Sequence, residues 1–70
     1  MNEAERLINL IYTMLFFEEN RLDYEVKNSF YILKQMNNDL HYIEKYKQCV
    51  QRYEDFKIFQ RKMFELLKRF

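Results

Sequence analysis

Between Leu40 and Phe70 the apolar positions follow a seven-residue rhythm. Tyr42, Cys49, Phe56, Met63 and Phe70 recur every seven residues, and Tyr46, Tyr53, Gln60 and Leu67 fill the alternate places. Nine positions at such spacing describe one seam along a helix, interrupted once by a polar residue, Gln60.

Upstream the pattern is shorter and more broken. Asn2 is a good N-cap and Glu5 stands three residues on, as a capping box requires, so a helix is expected to start there. Ala4, Leu7, Ile8, Ile11, Met14 and Leu15 form its 3.6-period stripe, and Leu10, Tyr12, Phe16 and Phe17 widen the stripe around the cylinder. A helix apolar on so many sides calls for more than one neighbour. From Glu18 to Asp23 only Leu22 is apolar. Asn20 or Asp23 can cap a new helix, and the stretch reads as a turn. Val26, Phe30, Leu33, Met36 and Leu40 make the next stripe, with Tyr24, Tyr31 and Ile32 beside or opposite it. Asn37-Asn38-Asp39 is a second break: asparagine tolerates the left-handed conformation that ends a helix, and Asn38 or Asp39 caps the next.

The pattern predicts an all-α chain, a single domain over 1–70, built as a small bundle of two or three helices with a long C-terminal helix. In the three-helix reading the helices span about 3–18, 22–36 and 39–70. If 18–23 does not interrupt the backbone, residues 3–36 and 39–70 form a hairpin that turns at Asn37-Asn38-Asp39.

In the three-helix reading the last helix is roughly 46 Å long and the first only some 24 Å, at 1.5 Å per residue. The far half of the last helix then overhangs, carrying Phe56, Ile58, Phe59, Met63, Phe64, Leu66, Leu67 and Phe70. Burying each such side chain is worth about 1.5–3 kcal/mol, against about 0–1 kcal/mol for a surface ion pair. A second protein surface is therefore expected there, most simply a copy of the chain: a homodimer, as a six-helix bundle of three-helix chains or a four-helix bundle of hairpins. The candidate oligomer or partner interface is Tyr46, Cys49, Tyr53, Phe56, Phe59, Met63, Leu66, Leu67 and Phe70.

Composition sharpens this picture. The 70 residues contain no glycine and no proline, which disfavours the tight turns of an all-β fold. A chain this short buries only about 60% of its unfolded surface and needs a disulfide, a metal or an oligomer to be secure. One cysteine excludes an intrachain disulfide, and Cys49 with the single histidine, His41, cannot close a zinc site. With 49% apolar and 19% aromatic residues, disorder is not expected. The acidic start is a poor signal sequence, and the apolar run from Leu7 to Phe17 is too short for the roughly 20 residues of a membrane span. With a lone cysteine, a cytoplasmic setting and no membrane partner are expected.

Charge adds one asymmetry to a net +1. Residues 1–25 hold Arg6 and Arg21 against Glu3, Glu5, Glu18, Glu19, Asp23 and Glu25. Residues 57–70 hold Lys57, Arg61, Lys62, Lys68 and Arg69 against Glu65. Opposed ends favour antiparallel or head-to-tail contact, in a salt-dependent way.

Little chemistry is visible. His41 follows Asp39 at a helix entrance, but no nucleophile at a plausible spacing can be placed beside it, and the bland reading is a polar entrance residue. Cys49 sits within the seam and behaves as a small hydrophobe. Glu18-Glu19 and Glu54-Asp55 match metal ligands only by type, without the Glu-x-x-His of di-iron bundles, and read as solvated charge. Lys57, Arg61, Lys62, Lys68 and Arg69 suit phosphate contact, although positive charge near a helix C-terminus is favoured in any case. Six tyrosines bring rings with wet ends, common where one protein grips another.

The expectation is thus a non-enzymatic protein–protein interaction module without a cofactor, acting as a regulator, inhibitor or adaptor. The alternative is a DNA- or RNA-binding regulator that uses the basic C-terminal helix.

Overall fold

The computed structural model describes residues 2–70; residue 1 of the expected 1–70 domain lies outside the described residues. The chain forms two α-helices, α1 (Glu3–Gln35) and α2 (Leu40–Leu67), folded back on each other as a hairpin.

Both helix starts follow from local chemistry. Asn2 Oδ1 accepts the Glu5 backbone N–H at 2.8 Å, and Glu3 and Glu5 place negative charge in the first turn, where the helix dipole favours it. At the far end Asn37 and Asn38 take φ of 56° and 59°, the left-handed region. The Asn38 N–H then reaches back to the Leu33 carbonyl at 3.0 Å and closes the last turn of α1. Asp39 starts α2, its Oδ1 accepting the His41 N–H at 3.0 Å. Two asparagines thus do the work that glycine does in most such turns.

The helices run antiparallel in one constant register. Tyr12 meets Phe64 with ring centroids 5.3 Å apart, Phe30 meets Tyr46 at 5.6 Å, and Lys57 Nζ reaches Glu19 Oε2 at 3.0 Å. Each step up α1 is matched by one step down α2. The buried apolar side chains are Leu15, Leu22 and Leu33 of α1 and Cys49 and Leu67 of α2, together with two polar residues, Ser29 and Gln60.

Two expectations are corrected. Residues 18–23 are helical and α1 is continuous. Glu and Arg are good helix formers, and the charges here find partners one turn away: Arg21 with Glu18 and with Glu25, and Lys27 with Asp23 at 2.9 Å. Leu22, only 5% exposed, anchors the stretch on the seam. The C-terminal helix is also not the long one: α1 has 33 residues and α2 has 28. The expected overhang therefore does not exist, and most of the α2 seam is covered by α1 of the same chain.

The hairpin is slender. Its Cα atoms span 53 × 18 × 11 Å, with a radius of gyration of 16.2 Å; a compact chain of this length would have about 11 Å. A two-helix layer has no third element to cover its sides, and that determines what the molecule offers to others.

Candidate interaction surface

The sequence-derived interface residues divide into two groups. Cys49 and Leu67 are buried and Tyr46, Tyr53, Phe56 and Met63 half-buried, all along the contact with α1. Phe59, Leu66 and Phe70 are exposed. Phe70, expected as the last seam position, lies past the end of α2 and is 89% exposed.

Gln60, the polar interruption of the seam, is 5% exposed and hydrogen-bonded through both its amide nitrogen and its amide oxygen. Its Nε2 donates to Glu19 Oε2 and its Oε1 accepts from Lys57 Nζ at 2.8 Å, while Lys57 also donates to Glu19 at 3.0 Å. The Gln60 hydrogen bond, and then that from Lys57, hold the Glu19 carboxyl below its ordinary value of 4.5. A buried amide is tolerable in a seam when a partner helix supplies its complement, and Glu19 does so. Nothing in the spacing of residues 18–23 announced this role, because Glu19 lies in the stretch read as a turn.

The sequence stripe of α1 also splits. Leu15 is buried and Ile8 and Ile11 half-buried, but Ala4, Leu7 and Met14 face solvent. Leu7, Leu10, Met14, Phe17, Tyr24 and Tyr31 are all more than half exposed. Their steps of three, four and seven residues give α1 a second line of large side chains beside the one that α2 covers.

Heptad steps place this line on the hairpin. Leu7, Met14, Arg21 and Asn28 run along one edge of α1, and Lys45, Arg52, Phe59 and Leu66 along one edge of α2. Asn28, Lys45 and Arg52 line a common cleft of about 300 Å³, so the two edges border the same side of the molecule. Near the turn this side is polar. Toward the open end, where both termini lie, it carries Leu7 and Met14 with Phe59 and Leu66, and Leu10 and Phe17 follow one step further round α1, turned away from α2. A second cleft, about 530 Å³, opens on the opposite side between Tyr12, Phe16, Glu19, Lys57 and Phe64.

The remaining sequence candidates sit apart. His41 is exposed, and its contact with Asp39 is made by the backbone N–H rather than by the ring, which lies edge-on to Tyr42. Ser29, which is not among those candidates, donates its hydroxyl to the Val26 carbonyl of its own helix at 2.9 Å. No group of three or more His, Cys, Asp or Glu side chains among the described residues could hold a metal ion. Of the basic set, Lys57 is committed to Glu19 and Gln60, whereas Arg61, Lys62, Lys68 and Arg69 are exposed. No helix among the described residues is long and apolar enough to cross a membrane. No protein-family model, curated protein or solved structure matches this chain.

Proposed function

We propose that the chain is a non-enzymatic helical interaction module that works through its uncovered apolar side. It acts as a regulator, inhibitor or adaptor by occupying or bridging a protein surface, in a cytoplasmic setting where Cys49 stays a thiol. The observation that carries this reading is the group Leu7, Leu10, Met14 and Phe17 on α1 with Phe59 and Leu66 on α2. All six are about half exposed or more; by their spacing Leu7 and Met14 border the same side as Phe59 and Leu66, and Leu10 and Phe17 carry the apolar surface on around α1. Contiguous apolar surface of that kind marks interaction sites in water-soluble chains.

The test is a photo-crosslinking residue placed at Phe17, compared with the same residue at Lys47 on a polar face. Protein adducts at Phe17 and few at Lys47 are expected. Equal labelling at both positions, or none at Phe17, would remove the reading.

The nucleic-acid alternative keeps one support: no ion pair engages Arg61, Lys62, Lys68 or Arg69 among the described residues. Retention of duplex DNA or RNA that falls steeply with salt, and is lost on charge reversal of Arg61, Lys62 and Lys68, is the result that this reading requires.

A further inference from the structure

We propose that the first occupant of this side is a second copy of the chain, with α1 of each copy lying over α2 of the other in a four-helix bundle. The inference rests on the reading of this side as a docking surface and names its partner. It assigns the contact to Leu7, Leu10, Met14, Phe17, Phe59 and Leu66, a different face from the seam that α1 and α2 share.

Area is the first argument. The hairpin exposes 5893 Å² for a mass of 9.0 kDa. A compact monomer of that mass exposes about 4,900 Å², so the chain carries an excess of about 1,000 Å². One partner in a standard interface gives up about 800 Å². The surplus, spread along a slender hairpin, is comparable to one side of a standard interface, and the exposed apolar side chains are part of it.

Charge chooses the arrangement. Along this side α2 presents Lys45, Arg52, Lys62 and Arg69 with one acid, Asp55; Arg52 is already paired with Glu25 of its own α1 at 3.8 Å, and Lys45, Lys62 and Arg69 are in no ion pair among the described residues. The matching border of α1 mixes Glu3, Glu18 and Glu25 with Arg6 and Arg21. In a two-fold pair α1 lies over α1 only if α2 also lies over α2. That packing would set Lys45, Lys62 and Arg69 of one copy against the same three bases of the other, and opposed like charges are costly at an interface. A two-fold axis along the hairpin puts α1 over α2 at both contacts, so each basic edge meets the α1 border, where Glu3, Glu18 and Glu25 outnumber Arg6 and Arg21, although Arg21 already pairs with Glu18 and Glu25. All four termini then gather at one end, where the apolar halves overlap.

Light scattering over a concentration series, on the full chain, tests the pairing. The wild type is expected to reach twice the 9.0 kDa chain mass. Phe17→Asp is expected to stay at the single-chain mass with an unchanged helical circular dichroism signal, because Phe17 is 67% exposed in its own hairpin. Phe59→Asp repeats the test from α2. A single-chain mass for the wild type at every concentration overturns the inference. A double mass that survives both substitutions overturns the assigned face. Lys62→Glu with Arg69→Glu should loosen the pair several-fold, and tightening would overturn the arrangement, since that is what relief of α2-on-α2 repulsion would give. The docking reading fails separately. If the wild type is single-copy but Phe17 crosslinks to a different protein, that reading stands and self-pairing falls; if Phe17 yields no adduct, both fall.

Discussion

At the scale of single residues, two positions carry more of the fold than their types suggest. Asn38 holds a left-handed conformation that costs an ordinary side chain about 1–2 kcal/mol and costs glycine nothing. Asn38→Ala should therefore lower the thermal midpoint by several degrees, at about 4–8 °C per kcal/mol for a chain of this size, while Asn38→Gly should not lower it. Glu19 is the other. Its carboxyl is held below 4.5 by the Gln60 hydrogen bond and then by Lys57. A depressed folded-state value means that the charged carboxylate favours the fold. That contribution is complete above the ordinary carboxylate range and is lost as pH falls through the lowered folded value. Denaturation midpoints measured from neutral pH downward should fall below about pH 4.5. Glu19→Gln should flatten part of that slope and leave the remainder to other carboxylates, including Glu18, which its hydrogen bond with Arg21 also lowers.

At the scale of helices, the continuity of α1 depends on which residue of the polar stretch 18–23 is indispensable. The ion pairs of Arg21 and Lys27 lie on the surface, where such pairs contribute little, whereas Leu22 is buried against α2. Leu22→Ala should cost about 2–5 kcal/mol in urea unfolding, and Arg21→Ala should shift the midpoint only slightly. Comparable losses would mean that the charges, not the seam, keep α1 whole. This stretch also shows where sequence patterning stops being informative. The α2 seam was legible from Tyr42 to Leu67 because its apolar residues repeat at the spacing that a neighbouring helix imposes. The ends of the helices were legible too, since Asn2 and Asp39 have short acceptor side chains and Asn37-Asn38 tolerates positive φ. The run Glu18–Asp23 was not, because Asn20 and Asp23 look like caps until their i+4 neighbours are considered. Nor was the choice between Leu15 and Met14. Both are apolar and adjacent, and only the register fixed by α2 buries the first and leaves the second on the outer face that the proposed copy would cover.

For the whole molecule the deciding quantity is how much of the stability a lone hairpin can supply. Five apolar side chains are buried, among them a cysteine, and none of the described side chains is wholly shielded from water. Two helices in contact along one line bury little area per ordered residue, and ordering each residue costs about 1.5 kcal/mol in entropy. A hairpin that gains a second copy over Leu7, Leu10, Met14 and Phe17 couples folding to association, and its midpoint must then depend on concentration. A hundredfold rise in concentration stabilises such a dimer by about 2.7 kcal/mol, or half of that per chain. For 70 residues this moves the thermal midpoint up by roughly 5–10 °C. Melting followed by circular dichroism at two concentrations a hundredfold apart should show that shift in the wild type and lose it in Phe17→Asp, whose single midpoint should lie at or below the lower wild-type value. A wild-type midpoint that does not move would mean that the Leu15–Leu22–Leu33 contact with α2 holds the fold unaided, and that the exposed line on α1 contributes nothing to folding.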